Sequence, residues 1–121
     1  MIDPSYEDKQ DYRYLEVAIE EALQRFATGC YAIWYPILSR RESADLPGRM
    51  KKLAALHKRS WLQAELRVEN APKERRLQAS GMFIINPPWT LEKQLAKSLP
   101  ILVEALGQDN GAQYVLNSFE A

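Results

Sequence analysis

The sequence has one cysteine, Cys30, and one histidine, His57. A lone cysteine builds neither a disulfide framework nor a zinc cluster, so a reducing, cytoplasmic setting is expected and no metal site. Cys30 opens the apolar run CYAIWYPIL, which predicts a buried, inert thiol. His57 sits at the edge of an apolar stripe with no second histidine or cysteine near it in sequence, which predicts a packing or surface role. No apolar run approaches the roughly 18 residues of a membrane-spanning helix. No basic stretch followed by an apolar core opens the chain as a signal peptide would. The five glycines, at 29, 48, 81, 107 and 111, form no glycine loop between a strand and a helix.

What remains is the composition of one soluble domain. The chain has 121 residues, 46% hydrophobic and 26% charged. Its 16 basic and 16 acidic residues cancel, but unevenly. Residues 1–39 hold 3 basic and 7 acidic groups, residues 40–76 hold 11 and 5, and residues 77–121 hold 2 and 4. The net +6 of the middle third makes it a candidate anion-facing surface, carried by Arg40, Arg41, Arg49, Lys51, Lys52, Lys58, Arg59, Arg75 and Arg76. A solvated helix and loop would give the same count.

The hydrophobic pattern alternates between strand and helix. The first two residues read as the stub of a buried strand. Residues 8–27 read as a helix whose Tyr12, Leu15, Ile19, Ala22, Leu23 and Phe26 repeat every 3.6 residues, with Gly29 just past its end. Residues 30–38 suit a strand buried on both faces in a parallel sheet, ending its pairing at Pro36. A second helix fits 45–58, with Pro47 in its first turn. Residues 60–68 alternate, setting Trp61, Gln63, Glu65 and Arg67 on a wetter face. Residues 81–86 form a further buried strand, antiparallel to the previous one because no helix fits between them. Thr90 caps a last helix carrying Leu91, Leu95, Leu99, Leu102 and Leu106, which Pro100 should kink or restart. The final ten residues give no firm element. The order describes an α/β chain, the second half of a doubly wound sheet with an antiparallel hairpin finish.

Two tetrapeptides carry the chemistry of amino-group methylation. In that reaction an Asp or Asn side chain and a rigid neighbouring carbonyl accept hydrogen bonds from an exocyclic amino group. The nitrogen is drawn toward tetrahedral geometry and its lone pair is freed. Proline fixes the backbone, and an aromatic ring stacks on the extruded base. Asn86-Pro87-Pro88-Trp89 fits the pattern better as a string, yet a proline turn leading into a capped helix has the same composition. Asp3-Pro4-Ser5-Tyr6 fits more loosely but directly follows a strand stub with strands and helices still to come. Sites in such sheets lie beyond the carboxyl ends of the parallel strands. Asn86 ends an antiparallel strand and should point to the opposite rim.

The blocks IDPSYEDKQDY, RFATGCYAIWYPIL, LQAELRV and ASGMFIINPPWTLEKQL resemble the carboxyl-terminal half of the RlmJ family, bacterial enzymes that methylate N6 of an adenine in 23S ribosomal RNA. The resemblance implies a Rossmann-like class I methyltransferase fold, S-adenosylmethionine as donor and ribosomal RNA as substrate. It places the family's Asp-Pro-Pro-Tyr on Asp3, Pro4, Ser5 and Tyr6, with Ser5 in place of the second proline. Asp3 and the Pro4 carbonyl would accept from the adenine amino group and Tyr6 would stack. The family's donor-binding residues fall upstream of Met1. One incomplete domain over 1–121 is therefore expected, inactive alone. A degenerate remnant that binds RNA or only folds is the alternative. Partnership with a missing amino-terminal half, or self-association through the sheet left uncovered, is also expected.

Overall fold

The structure, a computed structural model, describes residues 2, 4–6, 9–38, 41–67, 79–106 and 112–121. Seven elements follow in order: α1 (Lys9–Arg25), β1 (Tyr31–Pro36), α2 (Arg41–Leu56), β2 (Trp61–Arg67), β3 (Ala79–Ile85), α3 (Leu91–Leu106) and β4 (Gln113–Phe119). Among the described residues no helix is long and apolar enough to cross a membrane.

The strands form one sheet in the order β1-β3-β2-β4, and every neighbouring pair is antiparallel. Burial explains the order. β3 is the most buried strand and takes an inner position between β1 and β2, whereas β4 leaves most of its side chains exposed and takes an edge. The expected β2–β3 hairpin is present. The expected parallel sheet is reduced, among the described residues, to one bridge, Ile2 beside Ile33. Ile2 N–H donates to Ala32 O at 2.7 Å and Trp34 N–H to Ile2 O at 3.0 Å. Because β3 is antiparallel to both β1 and β2, those two strands and Ile2 all run the same way. The sheet therefore has one rim where Ile2, β1 and β2 end and another where β3 and β4 end.

Helices α1 and α2 cover one face. Leu15, Ile19 and Leu23 of α1 and Leu46, Met50 and Leu53 of α2 pack on Ile33, Tyr35, Phe83 and Ile85. Each such fully buried aliphatic side chain contributes about 1.5–3 kcal/mol of burial energy. On the other face α3 buries Leu99 against Leu62, Ala64 and Ile84.

Several local expectations shift. α1 ends at Arg25, so Phe26 leaves the buried stripe and is 63% exposed. β1 begins one residue late, which puts Cys30 outside the strand and exposed. α2 starts four residues early. Ser43 in its first turn donates to Pro36 O at 2.7 Å and accepts from Leu38 N–H at 3.1 Å, tying the helix start to the end of β1. Pro47 is thus interior, and it forfeits one backbone bond without breaking the helix. α3 likewise runs through Pro100, and its Leu102 and Leu106 are exposed rather than packed. The last ten residues supply β4, paired along its whole length with β2.

Candidate functional site

The strand stub at Ile2 leads into Pro4, Ser5 and Tyr6 at the rim where Ile2, β1 and β2 end. Asp3 lies outside the described residues. Tyr6 adopts φ 59°, a left-handed conformation uncommon for a tyrosine. Its ring is 2% exposed, 5.0 Å from Tyr12 and 6.2 Å from Trp34 between centroids, and its hydroxyl donates to Trp34 O. In this position the ring pegs the tetrapeptide to β1 and offers no open face to a base. Ser5 Oγ donates to Asp11 Oδ2 at 3.1 Å, tying the same turn to the start of α1.

Beside this peg lies a polar cluster that sequence alternation misassigned. Gln63, expected on the wetter face of β2, is buried, and Glu65 is half-buried. Tyr35, Gly81 and Glu65 are cross-strand neighbours on β1, β3 and β2. The Tyr35 side chain crosses the central strand over Gly81 and its hydroxyl donates to Glu65 Oε2 at 2.6 Å. Gln63 Nε2 donates to the Tyr35 hydroxyl at 3.2 Å and to Glu65 Oε2 at 3.1 Å. The signal available in the sequence was the glycine in an otherwise large-residue strand, which marks a close approach.

Burial pushes the Tyr35 phenol well above its ordinary value. The bond to the Glu65 carboxylate adds to the rise, and the amide of Gln63 opposes it. The unfolded chain loses this proton near pH 10 while the fold retains it. The stability is therefore fully present below about pH 10 and is lost as pH climbs beyond it, by up to about 1.4 kcal/mol per pH unit. Urea unfolding between roughly pH 9 and 11 should show this slope, reduced by up to that amount in Tyr35→Phe. Identical slopes in the two proteins would refute the assignment.

The rival tetrapeptide occupies the opposite rim. Asn86, at φ 57°, follows β3. Its Nδ2 donates to Ala27 O and Gly29 O, both at 2.7 Å, and its Oδ1 accepts from Arg59 Nε at 2.8 Å. Its own N–H donates to Ser60 O at 2.9 Å. One side chain thus clamps the loops that lead into β1 and β2, with both ends of its amide engaged. Trp89 stands 87% exposed at the entry to α3.

The basic segment divides. Arg40, Arg75 and Arg76 lie outside the described residues. Arg41 pairs with Asp45 at 3.7 Å and Arg49 with Glu16 at 2.9 Å, beside a cleft of about 460 Å³ between α1 and α2. Lys51 Nζ sits 4.9 Å over the Trp61 ring, and Arg59 holds Asn86. Lys52 and Lys58 are exposed and carry no ion pair among the described residues.

Comparison with known proteins identifies the family. The family described as "Ribosomal RNA large subunit methyltransferase D, RlmJ" matches residues 1–117. The chain is 47% identical over 106 residues to "Ribosomal RNA large subunit methyltransferase J" of Haemophilus influenzae, covering 88% of this chain and 37% of that protein. It is 44% identical over 102 residues to the protein of the same name from Escherichia coli, covering 84% and 35%. The chain therefore spans just over a third of the length of these relatives. A crystal structure of a Legionella pneumophila protein superposes with a TM-score of 0.83 at 28% identity, over 97% of this chain and 42% of that one. By this match and these relatives, the chain belongs to the RlmJ family of ribosomal RNA large subunit methyltransferases.

Proposed function

We propose that this chain is the catalytic-loop half of a Rossmann-like methyltransferase domain that modifies N6 of an adenine in 23S ribosomal RNA, in the cytoplasm, with S-adenosylmethionine as donor. The observation that carries the reading is the division between the two rims. Pro4–Tyr6 follow Ile2 where the same-direction strands end, while Asn86 is spent on holding the other rim together. The bridge of Ile2 with Ile33 and the shared direction of β1 and β2 support the fold assignment.

In this reading Asp3 and the Pro4 carbonyl accept the two hydrogens of the adenine amino group. The amino nitrogen then gives up conjugation with the ring, which frees its lone pair. The bound donor would supply the methyl group from its sulfonium, the carbon–sulfur bond breaking to leave a thioether while the nitrogen sheds one proton. Tyr6 stacks on the flipped base, which requires the ring to turn out of its pocket against Tyr12 and Trp34. The described residues do not fit the donor. Gly29 packs against Phe26 and Tyr31, Gly81 against Tyr35, and Gly48 is inside α2, so none forms a turn open to the donor's ribose or methionine moiety. We infer that the donor site lies mostly outside this chain, and isothermal titration of the isolated chain with S-adenosylmethionine should give no heat of binding. A measurable affinity would contradict the half-domain reading.

The same lack of fit favours a second reading, a chain that contacts RNA without catalysis. One measurement separates the two. N6-methyladenine in 23S ribosomal RNA is scored by mass spectrometry of nuclease digests from cells with and without the gene encoding the chain. Loss of the modification on deletion supports the enzyme. An unchanged level overturns it.

A further inference from the structure

A row of three aromatic rings crosses the sheet on the face covered by α1 and α2. Phe83 of β3 stacks on Trp61 of β2 at 5.5 Å and 24°, and Trp61 stacks on Phe119 of β4 at 6.5 Å and 20°. Burial falls along the row. Phe83 is fully buried, Trp61 is half-buried, and Phe119 is 53% exposed on an edge strand. The row therefore ends in a ring held nearly parallel to its neighbour, with open surface beyond the sheet edge. Two lysines lie along the β2 side of this row. Lys51 stands over Trp61, and Lys58, in a left-handed turn at φ 55°, is exposed three residues before β2.

We infer that Phe119, backed by Trp61 on the paired strand, with Lys51 over Trp61 and Lys58 in the turn that enters β2, is a stacking platform for an unpaired base of single-stranded RNA. This rests on the proposal that ribosomal RNA is the substrate. A preset aromatic face accepts any base, because every base has a π-surface, and adjacent ammonium groups hold the flanking phosphates. Core packing accounts for Phe83 and Trp61 but not for an exposed ring that continues their row. The platform lies on the rim opposite Pro4–Tyr6, about 20 Å away along the seven residues of β2. It is thus a contact to RNA remote from the reacting adenine, which would hold the substrate in register without touching the chemistry. Residue 119 also lies beyond the 1–117 of the family match.

The test is fluorescence anisotropy of a labelled oligoadenylate of roughly 12 nucleotides, titrated with the chain. Phe119→Leu, which keeps an apolar group but no ring, should weaken binding roughly tenfold, and Phe119→Tyr should bind as the original does. Lys58→Gln should weaken binding and reduce its salt slope by about one. Thermal melts of each variant exclude unfolding as the cause. Equal affinities for the Phe119→Leu variant and the original chain, or no binding by the original chain, overturn the inference. So does a dimer in sedimentation that Phe119→Leu dissociates while RNA affinity holds, which would assign the ring to a second copy. These outcomes are independent of the N6-methyladenine measurement, so the platform can fail while the proposed reaction stands.

Discussion

Gly81→Ala is expected to destabilise the chain by about 3 kcal/mol, and to lower its melting temperature by roughly 10 °C. A methyl group at this position would lie 2.4 Å from Tyr35 Cζ and 2.5 Å from the Tyr35 hydroxyl oxygen. Real carbon contacts do not come that close, so the ring or the strand must move. The ring has little freedom. Its hydroxyl is fixed to Glu65 and Gln63, and its body is buried in the main core. β3 has no more, since it is paired on both sides at this register. Either the Tyr35–Glu65 bond breaks inside a buried cluster or β1, β3 and β2 spread apart. Truncating the tyrosine in the same molecule should restore part of the loss, because Tyr35→Ala removes the clashing ring. Urea unfolding of the single and double variants measures both. Additive losses would show that the two residues do not meet.

Asp3→Ala and Asn86→Ala are expected to fail in opposite ways. Under the proposed function, removing the Asp3 acceptor should slow N6 methylation roughly a thousandfold, the scale of losing one preorganised polar group at a reacting centre. Asn86→Ala should instead destabilise the fold by about 2–3 kcal/mol. It removes the two 2.7 Å bonds to Ala27 O and Gly29 O, frees Arg59, and leaves alanine at φ 57°. Asparagine tolerates the left-handed region better than alanine, so the backbone adds to the hydrogen-bond loss. Methyl incorporation into ribosomal RNA, set beside a denaturant melt of each variant, separates the two roles. An Asn86→Ala variant with normal stability and no methyl transfer would return the chemistry to Asn86.

The α1 stripe was legible from spacing alone. Tyr12, Leu15, Ile19 and Leu23 recur at helical intervals and all four are buried. The β2–β3 hairpin followed from the absence of a helical segment between two strand patterns. Cys30 was misjudged because the apolar run it opens continues past it, and nothing local marks where pairing with Ile2 and β3 begins. Gln63 and Glu65 looked like a solvent face because alternation reports side-chain polarity. Their actual surroundings depend on a tyrosine reaching over from two strands away. β4 was missed because its residues are mixed on both faces, and only its ladder with β2 makes it a strand.

The same division governs the two tetrapeptides. The family resemblance, the helix stripes, the hairpin and the two short strings able to accept hydrogen bonds from an amino group were all readable from the residues. These depend on neighbours a few residues apart. Strand order had already set the Asp3 string where the same-direction strands end and Asn86 at the other rim; the folded sheet added that the Tyr6 ring is packed away and that Asn86 is consumed as a clamp. The clamp depends on β3 entering between β1 and β2, a pairing of residues about fifty apart in the chain for β1. Periodicity within a strand sets which residues share a face, but the partner on either side is chosen by the burial the whole sheet achieves.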